Sequence, residues 1–366
     1  MTYIHERPDW PKFHWNQEKL ASQLARVRHR QGRLIGRMEA LGFPLRKEAM
    51  LQTLSLDVLK SSEIEGEKLN RDQVRSSLAS RLGMDIGGDV PADRHVEGVV
   101  EMMLDATQNF AKPLTPERLL GWHAALSPTV HSGMRRIVVG GWRDDAKGPM
   151  QVVSGPIGRE EVHFEAPKAE RLNREMQTFI DWANEESDLD HVLRAALAHL
   201  WFVTIHPFDD GNGRIARAIA DWALARSENS SQRFYSMSTQ IRHERNDYYN
   251  ILERIQKSTL DITEWMSWFL DCLDRAITAT ESTLAYVFRK AGFWEKNVGK
   301  HINDRQRLML NKLLDGFEGK LTSTKWAKLT ESSQDTAYRD IQALIEQGLL
   351  VRNSSGGRST SYSLAE

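Results

Sequence analysis

Apolar positions along residues 16–80 keep to one helical stripe. Leu20, Leu24, Val27, Leu34 and Met38 recur with the spacing of a buried face, as do Met50, Leu54, Val58 and Leu59, and the run Gly42-Phe43-Pro44 separates the two segments. A glycine-rich break at 83–91 precedes another helical pattern from Arg94 to Phe110, and Thr115 with Pro116 forms the cap and first residue of the next helix. Between residues 137 and 167 the pattern changes: IVVGGW and MQVVSG are short β-branched stretches broken by glycine, which predicts a small hairpin. Helical periodicity then resumes over 168–185, 190–205, 214–226, 242–256 and 262–290. The tail reads as helices, two of them over 303–314 and 333–347, then strand, Gly-Ser turn and strand, the order of a winged helix-turn-helix.

Three regions are therefore expected in a mainly α protein: N-terminal helices over 1–95, a core over 96–290 and a terminal unit over 291–366. Composition narrows the partners. A formal net charge of -1 with 27% charged residues gives the whole chain no general attraction to nucleic acid or anionic membrane. The single cysteine, Cys272, lies in an amphipathic stretch and cannot form an internal disulfide, which fits a buried thiol in a reducing compartment. The first residues lack signal-peptide character and no apolar run approaches the roughly 20 residues of a membrane span, so a cytoplasmic protein without a membrane partner is expected.

The densest chemistry is HPFDDGNGR, 206–214, followed three residues later by Arg217. It joins the end of one helix to the start of the next, where unpaired backbone N–H groups and the helix dipole attract an anion. Gly211 and Gly213 let the backbone approach that anion closely, and Asn212 tolerates unusual backbone angles or donates a hydrogen bond. Arg214 and Arg217 share the first turns of the helix and can face one oligophosphate. Asp210 offers a hard oxygen for Mg²⁺, and His206 has the ordinary pKa of a general base. Together these groups suit phosphoryl or nucleotidyl transfer; an ordinary helix-helix turn would not demand the full set.

The string HPFDDGNGRIAR, 206–217, resembles the Fic family signature HPFx(D/E)GNGRxxR at every fixed position, and the resemblance to the helical Fic core runs from about residue 96 to 285. It implies a Fic-type helical core with a small hairpin flap, and transfer of AMP from Mg·ATP to a Ser, Thr or Tyr hydroxyl of a protein. In that reading His206 takes the hydroxyl proton, Asp210 holds Mg²⁺, Phe208 anchors the loop, and Gly211, Asn212 and Gly213 form the anion hole. Arg214 holds phosphates and Arg217 engages the γ-phosphate. Met150, Gln151, Val152, Val153 and Ser154 match the flap that pairs with an extended target segment. Tyr248 and Tyr249 occupy the nucleoside wall, and Gln256 stands where the family often has asparagine, a departure at the base contact.

Ser61-x-x-x-Glu65-Gly66 resembles the family's inhibitory motif, whose carboxylate competes for the second arginine of the signature, here Arg217; taken alone, Ser62 and Glu65 also fit a helix capping box. Glu65 could instead position water for removing AMP from a modified protein. The chain's own hydroxyls count among the acceptors, and a homodimer is compatible with the reading. A different class of function is DNA binding through 301–366, with Gln334, Thr336 and Arg339 on a recognition helix and Arg358 in a wing; nine Lys and Arg against eight Asp and Glu make this footprint weak.

Overall fold

The computed structural model of the chain describes all residues except 1, 86–89, 128–130, 133–134, 147, 157–158, 315–316, 318, 354–359 and 366. Two compact units appear, Met1–Thr280 and Glu281–Glu366.

The first unit opens with helices α1 (Gln17–Glu39), α2 (Phe43–Ile64) and α3 (Arg71–Arg81). Asn16 caps α1 by accepting from the Lys19 N–H, and of the predicted stripe Leu20, Val27, Leu34 and Met38 are buried while Leu24 is half-buried. α2 is buried on most of its surface, including Asp57, Ser61 and Ser62, because it lies inside the unit and packs on α9 (Met237–His243) and α3. Helices α4 (Arg94–Gln108) and α5 (Pro116–Leu126) follow, the latter capped by Thr115 as expected. They cross closely at Gly98, where a Cβ would lie 1.8 Å from the Ala125 carbonyl oxygen, so only glycine fits.

Two short strands, β1 (His131–Ser132) and β2 (Arg135–Arg136), pair with each other, and β3 (Gln151–Ser154) pairs antiparallel with β4 (Glu161–Glu165). The MQVVSG stretch is thus half of the expected hairpin. IVVGGW is not a strand: its N–H groups turn inward, Val138 to the Asp209 carboxylate at 2.8 Å and Gly140 to His123 Nδ1 at 3.3 Å. Phe164 on β4 is buried, while Val153 and Val162 face solvent.

Helices α6 (Leu172–Asn184), α7 (His191–Ile205) and α8 (Asn212–Glu228) form the heart of the unit. Every residue of α7 from Val192 to Ile205 is buried, the pattern of a helix surrounded by others, and α7 packs most extensively on α8. α9, α10 (Arg245–Gln256) and α11 (Thr263–Thr283) complete it. The helix read over 262–290 is interrupted at Leu284, where α11 gives way to α12 (Ala285–Lys296). Thr278 and Thr280 donate back to the Asp274 and Ala276 carbonyls four residues earlier.

In the second unit α13 (Asp304–Leu314), α14 (Ser323–Leu329) and α15 (Gln334–Glu346) precede the antiparallel pair β5 (Leu350–Arg352) and β6 (Tyr362–Leu364). Trp326, Ile341, Leu344 and Leu350 centre its core, and Leu321 bridges Tyr362. Gln334 and Arg339 are exposed as expected. Thr336 is half-buried because its N–H and hydroxyl close the Ser333 cap of α15. Arg358 and its turn lie outside the described residues.

Candidate active site

The loop between α7 and α8 turns twice through the left-handed region. His206 ends α7 at φ 52°, ψ 58°, and Gly211 opens α8 at φ 82°, a conformation that favours glycine. Asn212 closes the loop on itself: its side-chain oxygen accepts the Phe208 N–H at 3.0 Å and its amide donates to the Phe208 carbonyl at 2.7 Å. Phe208 is fully buried and stacks on His123 with ring centroids 4.1 Å apart, which fixes the loop from below. Burial lowers His123 to about 4, so this stack is between neutral rings at neutral pH.

His206 faces a pocket of about 540 Å³, within the size range of small-molecule sites. Its Nδ1 lies 3.2 Å from the Val203 carbonyl. A carbonyl only accepts, so Nδ1 carries the proton and Nε2 is left with the lone pair. Desolvation lowers the His206 pKa to about 4, partly offset by the Val203 bond; Arg143 lowers it further, and Glu65 and Asp210 pull the other way. The imidazole is therefore neutral and ready to accept a proton at neutral pH.

The same pocket is lined by Asp210, Gly211, Asn212 and Gly213 on one side, by Met150, Gln151, Val152, Val153 and Ser154 of the hairpin on another, and by Tyr248, Tyr249 and Gln256 of α10 on a third. The structure brings together all of these residues. Tyr248 is buried with its hydroxyl 2.9 Å from His199 Nε2, and burial raises its pKa. Gln256 donates to the Thr204 hydroxyl at 3.3 Å.

Arg214 and Arg217 do not line the pocket, because carboxylates from the end of α2 hold them. Arg217 Nη2 donates to Glu65 Oε1 at 2.8 Å and to the Ser61 carbonyl at 2.8 Å, and Nε donates to the Ser61 hydroxyl at 2.9 Å. Burial is the largest influence and works against the Arg217 charge, but the Glu65 carboxylate and its hydrogen bond, together with Tyr248 and Tyr249, outweigh it and hold the pKa above its usual value. Arg217 Nη1 and Arg214 Nε are buried without a hydrogen-bond partner among the described residues. Two donors thus remain for an anionic ligand. Glu65 itself lines the pocket, between its interior and Arg217. Ser62 and Glu65 belong to the last turn and C-cap of α2, so the capping-box alternative is excluded. Gly66, at φ 87°, reverses the chain there, and the Glu67 N–H returns to the Ser62 carbonyl at 3.0 Å.

Sequence reasoning passed over four contributors. Glu67 accepts from Arg214 Nη1 at 2.7 Å and contacts His95 Nε2 at 3.1 Å. His163 bridges Ser154 on the hairpin (2.6 Å) and Glu253 on α10 (2.9 Å). Asp209 anchors Val138, and Arg143 holds the carbonyl of His206 at 2.8 Å. Only Glu67 carried a usable signal, as an acid directly after the inhibitory motif.

Asp210 fits an Mg²⁺ site of the kind that uses one carboxylate and otherwise substrate oxygens: it lines the pocket, and its side chain is 40% exposed. Among the described residues no cluster of three or more His, Cys, Asp or Glu is arranged to hold a metal by itself. No helix among them is long and apolar enough to cross a membrane.

Residues 113–224 match the model of the Fic/DOC family, and residues 3–84 match a domain of unknown function, DUF4172. The chain is 33% identical over 183 residues to the protein adenylyltransferase fic-1 of Caenorhabditis elegans, covering 50% of this chain and 34% of that one. It is 28% identical over 239 residues to the protein adenylyltransferase Fic of Drosophila willistoni, covering 63% and 42%. The chain thus spans less than half the length of these curated relatives. Among solved structures, a Fic family protein from Desulfovibrio desulfuricans G20 shares the fold with a TM-score of 0.58 at 21% identity, covering 94% of this chain and 95% of that one. A Fic domain containing signaling protein from Bacteroides thetaiotaomicron does so with a TM-score of 0.51 at 22% identity, covering 71% and 98%.

Proposed function

We propose that this chain, whose residues 113–224 form a Fic domain, is a protein adenylyltransferase that transfers AMP from ATP to a protein hydroxyl and is held off by its own Glu65. The observation that carries this reading is the Glu65 carboxylate on Arg217, lying between a complete nucleotide-sized pocket and the arginine that a terminal phosphate needs.

In the released state Arg217, with its unpartnered Nη1, and Arg214 take the phosphates against the first turn of α8. Asp210 would hold Mg²⁺, which supplies charge neutralisation to the phosphates when bound. Tyr248, Tyr249 and Gln256 wall the nucleoside side. An extended target segment pairs along β3, whose one partner among the described strands is β4, and presents its hydroxyl to the pocket. His206 Nε2 accepts the hydroxyl proton as the oxygen bonds to the α-phosphorus and the bond to pyrophosphate breaks.

The deciding assay is label transfer to protein from ATP carrying label at the α- or the γ-phosphate, with Mg²⁺, in wild type, Glu65→Gly and Glu65→Gly/His206→Ala. Label from the α position, strongest in Glu65→Gly and lost with His206, supports the reading; label from the γ position replaces it with a kinase. Because Glu65 faces the pocket beside His206, AMP removal is a second reading. Loss of AMP from a pre-modified protein with wild type but not with Glu65→Gly would favour it.

The order α13, α14, α15, β5, β6, with the Leu321–Tyr362 bridge, supports a winged helix in the second unit. The exposed Gln334 and Arg339 make duplex DNA its partner to test, by a salt-dependent shift with the full chain.

A further inference from the structure

The segment 137–143, whose first six residues have the sequence pattern of a strand, is spent on the motif loop. Val138 N–H binds Asp209, Gly140 N–H binds the ring on which Phe208 stacks, and the Arg143 N–H donates to the Pro207 carbonyl at 2.9 Å. Its last residue does most. The Arg143 side chain is fully buried, and its guanidinium reaches three places: Nε to the His206 carbonyl at 2.8 Å, Nη2 to the Pro167 carbonyl, and Nη1 to Asp145 at 2.7 Å.

These acceptors belong to different parts of the site. The His206 carbonyl is the end of α7, where the backbone is left-handed and where any rotation of the peptide would swing the imidazole. Pro167 is the second residue after β4, and the intervening Ala166 N–H closes on the Met150 carbonyl at the root of β3. Asp145 also accepts the Ala169 N–H at 2.6 Å, which fixes the exit from the hairpin. One rigid, planar fork with several donors can satisfy all of these at once; a lysine cannot.

We infer that Arg143 is a positioning residue for the proposed transfer: it locks the backbone of His206 to the root of the β3–β4 hairpin, so that the base and the strand that presents the acceptor hydroxyl keep one fixed relation. The inference rests on the adenylyltransferase reading for its consequence, but not for its geometry. Misplacement of a reacting group by about 1 Å costs on the order of a hundredfold in rate, whereas ATP binding depends on other residues. Arg143 therefore acts on the chemical step rather than on nucleotide affinity.

The test uses the full chain carrying Glu65→Gly, with α-labelled ATP and Mg²⁺ and the chain's own hydroxyls as acceptors. Arg143→Lys and Arg143→Met are expected to lower the rate at saturating ATP by about 10- to 100-fold while the half-saturating ATP concentration stays within about twofold. Asp145→Asn, which loosens the same guanidinium without touching His206, should lose much less. A second readout is the nitrogen NMR signature of His206, which should lose its single Nδ1–H tautomer in Arg143→Lys. Unchanged turnover, an equal loss in Asp145→Asn, or an unchanged tautomer would each overturn the assignment. If the Glu65→Gly parent transfers no label, the adenylyltransferase reading lacks support, and the tautomer signature alone decides Arg143.

Discussion

Glu65 Oε1 would lie 2.2 Å from a Cβ placed on Gly213, and the same oxygen accepts from Arg217 at 2.8 Å. The carboxylate therefore sits against the first turn of α8, where the helix dipole and the arginine both favour a negative charge. On the proposed reading it takes the place of a phosphate with a group of the same sign.

Glu65→Gly removes that competitor. A hydrogen bond between charged groups contributes ~1.5–3 kcal/mol, so α-label transfer should rise by about 10- to 100-fold. Glu65→Gln, which keeps the shape but not the charge, should fall between. The measurement is initial rate at fixed ATP for the three proteins, and a Gln variant as silent as wild type would argue that shape alone inhibits.

Gly213→Ala tests the contact from the other side. In wild type the new methyl must expel Glu65, so thermal stability should drop; with Glu65→Gly the same change should be nearly neutral, since alanine suits a helix. A coupling of about 1–2 kcal/mol between the two sites is expected from the melting curves of the four proteins.

On the proposed reading, Glu67 adds a second restraint beside Glu65. With Glu65 gone, Arg214 is still paired at 2.7 Å, so Glu65→Gly/Glu67→Gln should lower the half-saturating ATP concentration further than Glu65→Gly alone. An equal ATP dependence in both proteins would show that Arg214 is not restrained by its partner.

His95 gives this corner a pH signature. Its hydrogen bond to Glu67 raises its pKa above 6.5, against the opposing effect of burial. A raised histidine contributes stability that is fully present below the unfolded pKa and is lost as pH rises through the folded one. The melting-temperature gap between wild type and His95→Gln should therefore be widest at about pH 6 and close as the solution becomes alkaline.

His206 shifts the opposite way. Desolvation lowers it to about 4 and Glu65 is one of the charges that raise it, so the acid limb of kcat/KM in Glu65→Gly should fall at or below about pH 4 rather than near the ordinary histidine value. Stability follows the same sign: the unfolded chain binds this proton first, so the contribution is lost as pH falls from about 6.5 toward about 4.

The motif loop was legible because its parts are contiguous: two left-handed turns, an asparagine clasp and a helix start lie within seven residues of His206, and local rules govern all of them. The Glu65–Arg217 pair was legible through the resemblance of Ser61-x-x-x-Glu65-Gly66, with Gly66 reversing the chain there. Glu67 and Arg143 were not, since their partners lie 147 and 63 positions away and no periodicity links them. IVVGGW shows the failure most clearly. Its β-branched pattern suits a strand, yet Asp209 of the loop takes the Val138 N–H and His123 of α5 takes the Gly140 N–H.

The burial of α2 sets the amplitude of any release. Leu51, Leu54, Val58 and Ile64 are at most 1% exposed, and the Ile64 carbonyl also accepts from Arg245 at 2.8 Å. Withdrawing the helix would open the core, whereas swinging the Glu65 side chain aside, or fraying the turn after Ile64, would not. Side-chain swings and end fraying are fast and recurrent. On the proposed reading the wild-type chain is thus expected to leak: it is a door that rattles on its latch, and its basal rate measures the fraction of time the latch is up.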